Sequence, residues 1–215
     1  MRKLHVKVCG MRDPINIKLL ADAGPDYLGF IFYRASPRYV GEDFAIPSGL
    51  NQPPLRVGVF VNEEADRVIE LAGRFALSLI QLHGDETPDT CRQLVDAGLK
   101  VMKVIRVAQG EDVKRASEFP GAVSYFMFET MSAQYGGSGR SFDWNLLNQY
   151  EHDIPYFLSG GLSATNLDRA LDLAGRDSRL HALDFNSGIE LSPGLKDVEK
   201  FQEIKKIISQ HEIQR

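Results

Sequence analysis

Cysteine is scarce in this sequence: Cys9 and Cys91 are the only two among 215 residues, and they stand far apart. So sparse a set offers no disulfide framework and reads as two reduced thiols, the expectation for a cytoplasmic chain. Long hydrophobic runs are missing too. No stretch approaches the roughly 18 apolar residues of a membrane span, and His5 and Lys7 break the apolar stretch after the basic Met1-Arg2-Lys3 start. No apolar signal segment follows, so secretion is not expected. Positive charge is also short: 25 Lys and Arg face 29 Asp and Glu, for a net charge of −4. A chain without a basic field has nothing general to offer nucleic acid or an anionic membrane. An anionic ligand would have to be caught by local geometry. Low-complexity tracts and linkers are absent as well, so residues 1–215 read as a single domain, long enough to bury roughly 70% of its unfolded surface.

What the chain does contain is repetition of a simple kind. Eight short runs rich in Val, Ile, Leu and Phe recur at Leu4–Cys9, Tyr27–Phe32, Leu55–Val61, Leu77–His83, Lys100–Val107, Ser124–Thr130, Tyr156–Ser159 and Leu180–Phe185. Most are nearly continuous in apolar residues, as parallel strands covered on both faces require. Between them, Asp13–Ala23, Glu63–Phe75, Thr87–Ala97, Glu111–Phe119, Trp144–Glu151, Ala164–Ala174 and Asp197–Ser209 space apolar residues three and four apart, which predicts helices. Asp13-Pro14 and Thr87-Pro88 mark helix starts, and Gly24, Gly98 and Gly175 mark ends. The proline-rich Gly41–Pro54 predicts an irregular second crossover. Strict alternation implies right-handed crossovers and a parallel sheet. Eight units favour a closed (β/α)8 TIM barrel over an open doubly wound sheet.

In such a barrel, reactive groups come from the C-terminal ends of the strands. That rule selects Cys9, Arg34 to Arg38, Asn62, His83, Arg106, Glu129, Ser159 to Leu162 and Asp184 to Gly188. The set has no convergence of His and carboxylates at ligand spacing, so no metal site is expected. Cys9 ends the first strand. It is either a small buried hydrophobe or a reactive thiol, with Lys7 on the same strand face roughly 6.6 Å below it. An inward lysine needs a carboxylate partner, and its charge would favour a thiolate. Ser159-Gly160-Gly161-Leu162-Ser163 and Asn186-Ser187-Gly188 follow strands seven and eight. Each is a tight turn or, taken together, a pair of loops whose free N–H groups face a phosphate. Arg38 is a solvated charge or a planar clamp for a carboxylate. His83 lines the mouth or is a hydrogen-bonded structural residue. The glycine-bearing segment Met131–Ser141 reads as a surface loop or a lid.

Taken in order, Lys7-Val8-Cys9-Gly10, Ser36-Pro37-Arg38-Tyr39-Val40, Val57-Gly58-Val59-Phe60-Val61-Asn62, Gln81-Leu82-His83-Gly84-Asp85-Glu86, Tyr135-Gly136-Gly137-Ser138-Gly139, Phe142-Asp143-Trp144, Gly160-Gly161-Leu162, Ser187-Gly188-Ile189-Glu190, Ser192-Pro193-Gly194 and Lys196-Asp197 resemble the phosphoribosylanthranilate isomerase family over nearly the whole chain. The resemblance implies a cofactor-free Amadori rearrangement of a phosphorylated aminosugar in tryptophan biosynthesis. By position it implies Cys9 as general base and Glu129 as general acid. Arg38 falls on the anthranilate-carboxylate contact, Asp184 beside the sugar, and the backbone around Gly161, Asn186, Ser187 and Gly188 on the phosphate; His83 is expected at the mouth. The small phosphorylated substrate would be the partner of a monomer or homodimer. The chain departs from the family's pattern in carrying Glu129 for the usual aspartate, Asn186 for the usual serine, and Arg12 for a small polar residue. The longer acid leaves two other readings open: a phosphate-ligand binding barrel with weakened catalysis, and a related sugar-phosphate lyase or synthase.

Overall fold

The computed structural model describes residues 3–50, 53–131 and 141–213. Eight parallel strands, β1 (His5–Val8), β2 (Tyr27–Ile31), β3 (Leu55–Phe60), β4 (Leu79–Leu82), β5 (Val101–Val107), β6 (Tyr125–Thr130), β7 (Tyr156–Leu158) and β8 (Leu180–Phe185), pair in sequence order into a closed barrel. Closure comes from β1 against β8, with Lys7 opposite Asp184 and Val8 opposite Phe185. The apolar runs are buried on both faces, as expected of strands with side chains inside the barrel and helices outside.

Helices α1 (Pro14–Asp22), α2 (Ala65–Phe75), α3 (Pro88–Asp96), α4 (Gly110–Lys114), α5 (Leu167–Arg176) and α6 (Val198–Ile213) occupy the crossovers and the C-terminal end. Asp13 and Thr87 cap α1 and α3 by accepting from the amides of Asn16 and Thr90, so one of the four orphan N–H groups at each start is satisfied. Gly24 (φ 77°) and Gly98 (φ 83°) end these helices in the left-handed region. Gly175 does not: it lies inside α5, which runs one residue further to Arg176. Two predicted α-helices are tighter turns. Residues 111–119 split into the short α4 and a 3-10 turn, Arg115–Glu118, while Trp144–Gln149 is 3-10 throughout. Asp143 accepts from the Asn145 amide and starts the tighter turn at Trp144. The described residues between β2 and β3 hold no helix, as the prolines predicted.

Tyr27, Val57, Leu79, Met102, Val104, Met127, Phe157 and Ala182 form an apolar cluster separate from the larger one beneath the helices. On β8, Asp184 stands two residues beyond Ala182, and on β6 Glu129 stands two beyond Met127. Period-two alternation therefore stacks both carboxylates one layer above this plug, at the C-terminal mouth. After β8 a 3-10 turn, Ser187–Ile189, leads into an antiparallel hairpin of β9 (Glu190–Ser192) and β10 (Leu195–Lys196), which periodicity does not announce. No helix among the described residues is long and apolar enough to cross a membrane.

Candidate active site

One pocket at the mouth is lined by Cys9, Ile31, Tyr33, Ser36, Arg38, Val59, Val61, Gln81, His83, Glu129, Ser159, Asp184 and Asn186. It gathers, from seven barrel strands or the loops just after them, Cys9, Ser36, Arg38, His83, Glu129, Ser159, Asp184 and Asn186 of the residues selected from the sequence; Asn62 and Arg106 are not in its lining. Cys9 and Glu129 both face it.

The lysine expected to need a carboxylate has one. Lys7 is fully buried and donates to Asp184 Oδ1 at 2.8 Å, while Ser159 Oγ donates to Asp184 Oδ2 at 3.0 Å. The consequence for Cys9 differs from the expectation. Burial pushes the thiol above its ordinary value; Lys7 pulls it back and Asp184 pushes it up again. The lysine charge is largely answered by its own partner, so the resting sulfur is a thiol. Gly29 lies so close beneath that a Cβ there would stand 2.8 Å from the Cys9 sulfur.

Across the pocket, Glu129 Oε2 lies 2.6 Å from His83 Nε2. The other imidazole nitrogen, Nδ1, is 3.1 Å from Gln81 Nε2. Burial alone would raise the Glu129 carboxyl, but the charge and hydrogen bond of His83, with Lys7 and Arg106 further off, hold it below the usual carboxylate range. Both nitrogens of His83 are thus engaged within the protein.

Arg38 is no free surface charge. Its Nε and Nη2 donate to the two carboxylate oxygens of Glu190, at 2.8 and 2.7 Å, leaving the Nη1 edge without a protein partner among the described residues. Lys196, whose side chain is fully buried, donates to Glu190 Oε1 at 2.6 Å and to Asn186 Oδ1 at 2.7 Å. The Gly194 amide adds a third bond to Glu190 Oε1 at 3.0 Å. Two cations and that amide hold Glu190 down at about 2 against its burial. Asn186 is therefore a partner of Lys196, and Arg12 donates to Pro37 O at 3.1 Å, tying the loop that carries Arg38. Gln81, Glu190 and Lys196 escaped selection from the sequence. Gln81 was within reach, because it alternates with His83 on one strand face; a two-residue strand gives Lys196 no such signal.

Next to Asn186, the β7 and β8 loops touch. A Cβ on Gly188 would stand 2.1 Å from the backbone oxygen of Leu162, so only glycine lets the loops approach this closely. Gly160 (φ 89°) and Gly161 (φ 69°) are left-handed. The amides of Gly161, Ser187 and Gly188 donate to no acceptor among the described residues, an arrangement suited to an anion. Residues 132–140, most of the predicted lid, lie outside the described residues.

A sequence model of N-(5'-phosphoribosyl)anthranilate (PRA) isomerase matches residues 6–208. The chain belongs to this isomerase family. The N-(5'-phosphoribosyl)anthranilate isomerase of Phocaeicola vulgatus is 44% identical over 192 residues, 89% of this chain and 91% of that one. The solved phosphoribosyl anthranilate isomerase from Thermotoga maritima superposes with a TM-score of 0.80 at 32% identity, covering 96% of this chain and 99% of that one. A family structure in complex with reduced 1-(o-carboxyphenylamino)-1-deoxyribulose 5-phosphate matches with a TM-score of 0.77 at 29% identity, over 96% and 99% of the two chains. These likenesses run through the whole barrel.

Proposed function

We propose that this chain catalyses the Amadori rearrangement of N-(5'-phosphoribosyl)anthranilate to 1-(2-carboxyphenylamino)-1-deoxyribulose 5-phosphate in tryptophan biosynthesis. The observation that carries the reading is that a buried thiol, Cys9, and a carboxyl, Glu129, line one pocket beside two loops with unengaged amides. Glu129 donates a proton to the ribose ring oxygen, the C1′–O bond breaks, and the ring opens to an iminium. The iminium acidifies the neighbouring C2′–H, and Cys9 removes that proton; the enolamine then tautomerises to the ketone. The resting thiol gives up its own proton to solvent as the iminium forms, because that positive charge favours the thiolate, which then takes the C2′ proton. The free Nη1 edge of Arg38 donates to the anthranilate carboxylate, and the amides of Gly161, Ser187 and Gly188 hold the phosphate. Asp184, fixed by Lys7 and Ser159, borders the sugar. Asn186 acts on the phosphate loop through Lys196, and His83 meets the substrate through Glu129. Residues 1–215 act as one barrel domain in the cytoplasm, as monomer or homodimer, on a small phosphorylated substrate; with a net charge of −4, no nucleic acid or membrane surface is invoked.

The test is a fluorescence assay with freshly prepared phosphoribosylanthranilate. The wild-type chain consumes the fluorescent substrate, and Cys9→Ala and Glu129→Ala each slow turnover by about 10² to 10⁴-fold with an unchanged circular dichroism spectrum. Tight binding of a reduced product analogue with no turnover by the wild-type chain would instead support the binding-barrel reading.

A further inference from the structure

A general acid must hold a proton, yet its neighbours keep the Glu129 carboxyl low. The contacts around it suggest how the two requirements meet. Glu129 Oε2 and His83 Nε2 are 2.6 Å apart, close enough for one proton to serve either atom. An imidazolium beside a carboxylate, and a neutral imidazole beside a carboxylic acid, contain the same number of protons. They differ in which hydrogen the imidazole keeps: the second arrangement requires Nδ1–H, with Nε2 accepting from the acid. What faces Nδ1 is the amide of Gln81, a residue 1% exposed, whose Nε2 lies 3.1 Å away and whose Oε1 is buried without a hydrogen-bond partner. A half-turn of that amide exchanges the two atoms. Oε1 then accepts from Nδ1–H and is satisfied, in exchange for the long contact of Nε2 to Met127 Sδ at 3.5 Å.

We infer that Gln81, His83 and Glu129 form a proton relay, in which Gln81 is a positioning residue that selects the imidazole tautomer able to charge Glu129. This rests on Glu129 being the acid of the isomerase reaction. The proton on Nε2 passes to Oε2 and on to the ribose ring oxygen as the C1′–O bond breaks. The imidazole is left neutral with Nδ1–H held by Gln81 Oε1, and the pair regains its proton from solvent when product leaves. Titration belongs to the pair and not to either residue. The charged and titratable groups that bear on it are Lys7 and Cys9 from β1, Arg38 after β2, Arg106 from β5 and Asp184 from β8, with Tyr33 after β2.

Two readouts test this, one of which needs no activity. Imidazole ¹⁵N NMR of the wild-type chain, with His83→Asn to assign the signal, follows the titration of His83; the pH profile of kcat follows the relay. Gln81→Met keeps the volume but leaves Nδ1–H without an acceptor, so the titration and the alkaline limb of kcat both move down by about one pH unit. Gln81→Glu strengthens the acceptor and moves both up. His83→Asn lowers kcat by about 10²-fold. Profiles unmoved in both Gln81 variants, or a loss of kcat uniform across pH, overturn the relay. A wild-type chain that does not isomerise the substrate overturns the assigned reaction, and the NMR titration still decides the relay.

Discussion

At the scale of single residues, one extra methylene decides how the acid is held. Glu129 reaches His83 at 2.6 Å, and it does so from the end of β6, where its Cα is fixed by pairing with Arg106 on β5. Replacing it by the aspartate usual in the family would withdraw the carboxyl by over ~1 Å, breaking that contact while the backbone stays put. Displacements of this order at a reacting centre cost about 10²-fold. Glu129→Asp is therefore expected to lower kcat by roughly that factor, with KM little changed, although it restores the family's residue. Steady-state kinetics at saturating substrate would check this; a kcat equal to or above wild type would mean that the site tolerates either length and that the His83 contact is incidental. Cys9 carries a related lesson. Sequence alternation correctly put Lys7 beneath it, but the spacing of two residues on one strand says nothing about Asp184 on another, and that carboxylate takes up the lysine's charge.

At the scale of elements, the barrel was legible because its signals are local and repeated. Continuous apolar runs such as Val57–Phe60 and Tyr27–Ile31 read as strands buried on both faces, and Asp13-Pro14 and Thr87-Pro88 carry their own capping chemistry. What sequence could not reach was short or held by distant partners. The turn at Trp144–Gln149 has too few residues to declare its period. The β9–β10 hairpin is fixed by Lys196, Glu190 and the side chain of Asn16 in α1, which accepts from the Lys196 amide and donates to its carbonyl, contacts some 180 residues apart in sequence. The candidate site divides along the same line. Cys9, Arg38, Glu129 and the glycine loops sit at strand ends that a count along the chain can find, whereas the internal partners of Arg38 and Asn186 emerge only from packing. The meeting of the β7 and β8 loops gives a prediction at this scale. Gly188→Ala would drive a methyl into Leu162 O and part the two loops that present the free amides. We expect KM for the phosphorylated substrate to rise by at least about tenfold, the equivalent of 1.4 kcal/mol, with a smaller change in kcat, because the acid and base are carried by the neighbouring strands β6 and β1, whose pairing the substitution leaves in place. Titration with inorganic phosphate as competitor would show the same weakening; unchanged inhibition would place the phosphate elsewhere.

At the scale of the whole molecule, the ion pairs at the mouth also fasten the barrel. Lys7–Asp184 bridges β1 and β8, where the sheet closes. Glu190 joins the loop after β2 through Arg38 to the hairpin through Lys196, and Lys196 in turn reaches the loop after β8 through Asn186 and α1 through Asn16. Holding Glu190 at about 2 instead of its ordinary 4.5 makes folding stability depend on pH with a definite sign. Because the folded value is the lower one, the contribution is complete above about 4.5 and is lost as pH falls from there towards 2. Other carboxylates, Asp26 among them, are also held low, so a fall in Tm with acid would not by itself identify Glu190. The difference between the wild-type chain and Glu190→Gln does. At pH 7 the variant leaves Arg38 and the buried Lys196 without their counter-charge and melts well below wild type. Near pH 2 the wild-type glutamate is itself becoming neutral, as the glutamine already is, and the gap in Tm narrows. Thermal melts of both proteins between pH 7 and 2 would follow it. A gap that stayed constant over that range would mean that Glu190 stabilises the mouth through shape and not through charge, and that the fastening of hairpin, loops and α1 does not depend on its ionisation.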